Sequence, residues 1–189
     1  MDKKERIRKN YFLKRKKKFF QINEKFFSPL ISFFKKNLPN KRLNISLYYP
    51  SSFEVDVFKI LDVEYFKKFK FLLPVINKSG SMDFYPWKRN EILLLNKYGI
   101  PEPLKTKKIV PSVILLPMLA FDKNKNRIGY GKGFYDRYLA RFLKVHKKIL
   151  TVGVAFSFQK YHKLPVNNKD FKLDRIITEK GILKWKSWF

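Results

Sequence analysis

Residues 115–139 read LLPMLAFDKNKNRIGYGKGFYDRYL, and three of the chain's seven glycines, Gly129, Gly131 and Gly133, alternate within them. Arg127 stands just before this run, and Phe134, Tyr135, Asp136 and Arg137 open a helical pattern just after it. This is the layout of a phosphate-binding loop. A residue without Cβ lets the main chain adopt φ > 0 and approach a ligand closely. The unpaired N–H groups of the following helix then meet an anion at the positive end of the helix dipole. The dipole contributes only about 0.3–1 kcal/mol, so Arg127 and Lys132 are expected to supply most of the attraction for a polyphosphate. By itself a G-x-G-x-G run is equally compatible with a tight connection whose glycines merely allow close packing.

Working outward, Val113–Leu116 is an apolar run closed by Pro117, as a buried strand of a parallel sheet reads. Asp136 lies where a carboxylate can hold Mg²⁺ against phosphate oxygens, because that ion prefers oxygen ligands and takes few of them from protein. The glycine spacing matches neither G-x-x-x-x-G-K-S/T nor G-x-G-x-x-G, so the usual nucleotide-binding folds are not indicated.

The whole stretch PMLAFDKNKNRIGYGKGFYDRYL, 117–139, closely resembles the signature of the 5-formyltetrahydrofolate cyclo-ligase family. Weaker echoes extend along nearly the whole chain: Lys4 and Arg8 in a basic N-terminal helix, YYPSSFEVDVFKI (48–60), FLLPVI (71–76), MDFY (82–85), YGIPEP (98–103) and DFKLDRIITE (170–179). The resemblance implies ATP- and Mg²⁺-dependent conversion of 5-formyltetrahydrofolate to 5,10-methenyltetrahydrofolate. It places ATP against Lys4, Arg8, Arg127, Ile128, Gly129, Tyr130, Gly131, Lys132, Gly133, Phe134 and Tyr135, with Arg127 and Lys132 as catalytic cations. The folate falls against Tyr49, Glu54, Phe134 and the 130–133 loop, and Mg²⁺ against Asp136 and Asp170. Phe134 replaces a tyrosine found in many relatives, so a hydroxyl contact there is absent. Asn167, Asn168 and Lys169 stand where relatives often carry histidine, which leaves the role of Asp170 open.

Composition sets the outer bounds. A length of 189 residues suits one domain, 1–189, and 45% hydrophobic residues can build a core. The absence of cysteine excludes disulfides and thiolate metal sites. Apolar runs such as Val113–Phe121 are about half the roughly 20 residues that cross a bilayer, and a cytoplasmic protein is expected. The formal charge is +28, which admits a nucleic-acid or membrane partner. The lysines are nevertheless spread from end to end without the motif of a nucleic-acid-binding module. The charge is therefore read as compositional drift, with no specific nucleic acid and no membrane as partner, and a monomer is expected. Its field, screened over about 8 Å at physiological salt, still helps to gather ATP and an acidic folate. The rival reading is a basic RNA-associated protein that keeps the fold with weak catalysis, and a third is a kinase of another small molecule.

Along the chain, residues 3–36 are expected to form two helices with a break at Ser28-Pro29. Ten Lys or Arg against two acids lie between Asp2 and Lys18; Lys4 and Arg8, four apart, share a face. If they touch ATP, the N-terminus must fold back over the glycine loop. Strands are expected at Asn44–Tyr49, Lys70–Ile76, Ser81–Tyr85, Ile149–Phe156 and Leu173–Thr178, with Gly153 admitting a close approach. A short helix is expected to open at Phe53 and Glu54, where an acid in the first turn can serve the dipole alone. Met82 and Phe84 share one side of their strand and suit either a pocket wall or the core. YGIPEP is read as an extended turn, Phe134–Val145 as a helix, and the tail WKSWF (185–189) as cover for a sheet edge. His146 and His162 form no triad or zinc set. The fold class is α/β: one domain in three layers, with a central, mainly parallel sheet and a basic N-terminal helix.

Overall fold

A computed structural model describes residues 2–39, 41–142, 149–168 and 170–183. Helix α1 (Lys3–Lys18) leads through a short 3₁₀ turn (Glu24–Phe27) into α2 (Ser28–Asn37), then β1 (Asn44–Ser46). Two more 3₁₀ turns, Val57–Asp62 and Glu64–Phe66, precede β2 (Lys70–Ile76), β3 (Met82–Pro86), β4 (Leu93–Leu95), β5 (Pro101–Pro103) and β6 (Val113–Pro117). A small hairpin of β7 (Ala120–Phe121) and β8 (Arg127–Ile128) runs into α3 (Phe134–Phe142). The chain described ends with β9 (Leu150–Val154), β10 (Arg175–Thr178) and β11 (Gly181–Ile182).

The central sheet has seven strands in the order β11-β10-β9-β6-β1-β2-β3. All neighbours pair in parallel except the two edge strands, β3 and β11, which are antiparallel to theirs. Both faces are covered, and the strands show why. In β6, Val113 and Leu115 face one cluster, while Ile114 and Leu116 face another. In β2, Phe71 and Leu73 divide from Leu72 in the same way, the period of two that a strand imposes. The first cluster includes Leu30 and Phe34 of α2 and Ile60 and Phe66 of the 3₁₀ turns; the second includes Tyr138 and Leu139 of α3. This is the expected three-layer α/β arrangement, with each fully buried aliphatic or aromatic side chain contributing about 1.5–3 kcal/mol. A third cluster, Ile7 with Ala120, Ile128 and Leu164, fastens α1 to the β7–β8 hairpin. Gly153 in β9 is required by packing: a Cβ there would lie 2.1 Å from Met118 Cε and 2.6 Å from Leu173 Cδ1.

Several expectations shift. The first helix ends at Lys18, so the break covers 19–27. Asn23 caps the intervening 3₁₀ turn by accepting from the Lys25 amide, and Pro29 sits in the first turn of α2. The region after β1 holds a 3₁₀ turn at Val57–Asp62 capped by Asp56, so Glu54 lies in the loop before it and not in a helical first turn. YGIPEP supplies a strand, β5, antiparallel to β4. Helix α3 is described to Phe142; its expected continuation to Val145, His146 and the WKSWF tail lie outside the described residues. His162 is exposed at a bend.

Candidate active site

From β1 the chain moves to β2 on one side and later crosses to β6 on the other. The carboxyl ends of β1 and β6 therefore flank a topological switch point, where ligands bind in open parallel sheets. A cavity of about 1340 Å³ opens there. Its walls are the loop after β1 (Tyr49, Ser51, Glu54), the segment 127–137, the turn between β4 and β5, Lys4 and Arg8 of α1, and Asn167, Asn168, Asp170 and Phe171.

The glycine loop forms the polyanion side. Gly131 has φ +94, and a Cβ on it would stand 3.2 Å from Arg8 Cζ, so the residue is needed both for backbone shape and for the approach of α1. Arg8 Nε donates to the Gly129 carbonyl at 3.1 Å. Lys4 Nζ meets Asp170 Oδ2 at 2.5 Å. The N-terminal helix thus does fold back over the loop. The Arg127 side chain is 6% exposed and pairs through Nη2 with Asp136 Oδ1 at 2.9 Å, which also accepts from the Phe171 amide. Its Nε is buried with no hydrogen-bond partner among the described residues, a donor that a bound anion can satisfy. Lys132 is exposed, its Nζ 5.6 Å from the centre of the Tyr98 ring.

The opposite wall is built around Glu54. Ser52 and Phe53 have φ 49 and 63, two consecutive left-handed residues, each costing roughly 1–2 kcal/mol without glycine. The turn folds the chain back on itself, with the Glu54 amide donating to the Ser51 carbonyl and Glu54 Oε2 accepting from the Ser51 amide at 2.9 Å. Glu54 Oε1 accepts from the Tyr130 hydroxyl at 2.5 Å. Burial pushes the Glu54 carboxyl above its ordinary value, opposed by Tyr130, Arg15 and Ser51. Burial, then the neighbouring Glu54 charge, raises Tyr130 and Tyr135 well above the usual phenol range, so both hydroxyls remain proton donors.

Most of the expected site residues converge on this cavity: Lys4, Arg8, Tyr49, Glu54, Arg127 through Asp136, and Asp170 all line it. Ile128 lines the cavity as well, although its side chain is buried in the cluster that seats α1. Phe134 packs against Tyr98, ring centres 5.9 Å apart, so Tyr98 joins the wall although the sequence singled out no residue of YGIPEP. Of the Met82/Phe84 pair, Met82 reaches the cavity while Phe84 packs in the core against Tyr138. Arg15 was missed altogether. It is 1% exposed and donates to the Met118 carbonyl and the Tyr130 hydroxyl. A signal existed: 4, 8, 11 and 15 continue one helical stripe.

Asp136 and Asp170 fit Mg²⁺. They offer two carboxylates to the cavity beside the glycine loop, and among the described residues no group of three or more His, Cys, Asp or Glu gathers into a cage. One or two carboxylates beside phosphate oxygens is the donor set Mg²⁺ accepts.

Fold and cavity define an α/β protein with a cleft lined by a cationic glycine loop and a buried carboxylate at the carboxyl edge of a parallel sheet. The chain belongs to the 5-formyltetrahydrofolate cyclo-ligase family, whose profile matches residues 3–179. It is similar to the 5-formyltetrahydrofolate cyclo-ligase of Escherichia coli, 33% identical over 120 residues, covering 60% of this chain and 65% of that protein. The match therefore spans just under two thirds of that relative. The Mycoplasma genitalium protein of the same name is 35% identical over 135 residues, 71% of each chain. In structure the chain resembles the 5,10-methenyltetrahydrofolate synthetase of Aquifex aeolicus, with TM-score 0.76 and 30% identity over 98% of this chain and 94% of that one. Among the described residues no helix is long and apolar enough to cross a membrane.

Proposed function

We propose that the chain, as one domain over 1–189, converts 5-formyltetrahydrofolate to 5,10-methenyltetrahydrofolate in the cytoplasm, acting as a monomer with release of ADP and phosphate. The observation that carries this reading is the convergence of two chemistries on one cavity: the cationic glycine loop closed by Lys4 and Arg8, and the Glu54–Tyr130 wall facing it. The γ-phosphoryl group of ATP passes to the formyl oxygen of the folate. The second folate nitrogen then attacks the activated carbon, closing the five-membered ring as phosphate leaves. Such a transfer asks the protein for alignment and charge stabilisation more than for covalent help.

Each residue then has a task. The 129–133 amides, Arg127 and Lys132 hold the phosphates in line. Glu54 accepts two hydrogen bonds from the 2-amino pyrimidinone edge of the pterin, and Tyr49 and Phe134 flank the rings. In the structure Asp136 and Asp170 are paired with Arg127 and Lys4. A polyphosphate would compete for those two cations, and Asp136 and Asp170 would then be the residues that hold Mg²⁺. When bound, Mg²⁺ offsets charge on the phosphate oxygens.

The test is to mix the purified protein with 5-formyltetrahydrofolate, ATP and Mg²⁺ and follow the absorbance of the methenyl product, with ATP omitted as control. An ATP-dependent rise is expected. No rise from a folded protein would overturn the reading and bring forward a basic RNA-associated role, in which polyanions bind indifferently to changes in the glycine loop.

A further inference from the structure

Arg15 is a buried guanidinium outside the set of phosphate-facing cations, and its neighbours are unusual for a surface helix. Nη1 donates to the Met118 carbonyl at 3.3 Å, Nη2 donates to the Tyr130 hydroxyl, and the guanidinium lies 5.5 Å from the Tyr130 ring centre. The Tyr130 hydroxyl in turn donates a hydrogen bond to Glu54 Oε1. The result is a chain, Arg15 to Tyr130 to Glu54, that links α1 to the folate wall across the glycine loop. Tyr130 is 42% exposed, so its ring faces the cavity side while its hydroxyl is held between the two charged groups. A buried guanidinium without a nearby negative charge is strongly unfavourable, and so is a buried carboxylate without a cation. Here each offsets the other through one shared hydroxyl.

We propose that Arg15 is a positioning residue for the folate: acting through Tyr130, it holds the Glu54 carboxylate in place and ionised, so that α1 serves both the phosphate side and the pterin side of the cavity. This rests on the folate reading of Glu54. The groups facing Glu54 are Arg15 from α1, Tyr130 from the glycine loop, Tyr135 from α3, Tyr48 after β1, and Ser51 of its own loop. Among these described groups, Arg15 carries the positive charge. Without it Glu54 remains buried, and its protonation moves to higher pH. A protonated carboxyl loses one of the two acceptor sites that the pterin edge needs. Arg15 touches neither ligand, and its loss should leave the phosphate contacts in place.

The experiment measures 5-formyltetrahydrofolate binding without ATP across a pH series, and the KM for ATP in turnover, for the full chain and three variants. Arg15→Met keeps an unbranched side chain of comparable length; Tyr130→Phe keeps the ring and removes only the link, so it tests the proposal even if Arg15→Met does not fold. Arg15→Lys restores charge without the two-pronged donor. At neutral pH, Arg15→Met should weaken folate binding at least tenfold and Tyr130→Phe severalfold. The acid-side loss of binding should begin at higher pH in both, Arg15→Lys should recover part of the affinity, and in the two Arg15 variants the KM for ATP should stay within about twofold. Folate binding within twofold of the parent in both folded variants, or a matching rise in the KM for ATP in the Arg15 variants, overturns the positioning role. If the parent itself binds no folate at any pH, the folate reading has failed and the inference falls with it, a result distinguishable from a change confined to the variants.

Discussion

Two helices border the cavity, and they are held by opposite means. Helix α3 buries Tyr138 and Leu139 in the second core cluster, with Phe134, Tyr135 and Phe142 packed around them. Helix α1, 16 residues long, buries only Ile7 and Arg15. Its attachments are mainly polar: Lys4 to Asp170, Arg8 to the Gly129 carbonyl, Tyr11 to the Lys160 carbonyl, and Arg15 to Met118 and Tyr130. Apolar burial is worth about 1.5–3 kcal/mol per side chain whatever the site contains, whereas partly exposed ion pairs contribute about 0–1 kcal/mol and weaken with salt. Helix α3, which carries Phe134, Tyr135 and Asp136 to the cavity, is therefore anchored by its apolar face, whereas α1 is held mainly by polar contacts beside the cavity. Its docking should strengthen when a polyanion adds its own contacts.

The largest expected effect strikes the scaffold. Leu139→Ala removes a fully buried side chain from the second core cluster and should cost about 2–5 kcal/mol, read as a fall in the urea midpoint. A loss below about 1 kcal/mol would show that α3 is not anchored by its apolar face. Next comes the phosphate cradle. Lys132→Ala and Arg127→Ala should each lower turnover at least tenfold, about 1.4 kcal/mol of transition-state stabilisation, with the circular dichroism of the folded protein retained. A variant with full activity and normal ATP affinity would strike that residue from the cradle.

The same division explains what could be read from sequence. Strands β2 and β6 and the opening of α3 were legible because burial on a regular element leaves a periodic trace, as Phe71, Leu72 and Leu73 or Val113 through Leu116 show. The glycine loop was legible because Gly131 and Gly133 hold a positive φ that other residues rarely adopt. Helix α1 leaves little such trace: Arg15 is one basic residue among ten between Asp2 and Lys18, and its burial depends on Met118, Tyr130 and Glu54, all remote in sequence. The β4–β5 hairpin was hidden because Pro101 and Pro103 read as a break, although only Glu102 between them has a main-chain donor to offer. Glu54 looked like a helix-opening acid because the left-handed Ser52-Phe53 pair carries no glycine to announce it.

Gly131→Ala tests the contact between the two regions. At φ +94 a Cβ costs roughly 1–2 kcal/mol, and here it would also press on the Arg8 guanidinium at 3.2 Å. The KM for ATP should rise severalfold while folate binding changes less; equal effects on both ligands would mean that the loop, and not α1, sets the phosphate side. The acid–base balance of Glu54 gives a gentler effect. Burial raises its carboxyl in the folded state, so the folded chain binds a proton more readily than the unfolded one between the ordinary and the raised value. Stability must therefore fall as pH rises through that window. Glu54→Gln should flatten this part of the stability–pH curve, and an unchanged slope would assign it to another group.

The smallest expected effect in stability is the most informative about α1. The Lys4–Asp170 pair leaves its side chains 17% and 28% exposed, so Lys4→Ala should cost at most about 1 kcal/mol in urea unfolding. If α1 were scaffold, the change would end there. If α1 belongs to the site, the variant loses a cation that an entering phosphate recruits, and the KM for ATP rises. That rise should shrink as salt is added, because added ions weaken the parent's attraction more than the variant's. Asp170→Asn separates the two sides of the pair: it should leave Lys4 available to phosphate while removing a Mg²⁺ ligand, raising the Mg²⁺ concentration needed for half-maximal turnover more than the KM for ATP. Equal rises in both variants, insensitive to salt and to Mg²⁺, would instead mean that the pair only fastens α1 to the 167–171 segment, and the contrast between the two helices would reduce to one of packing.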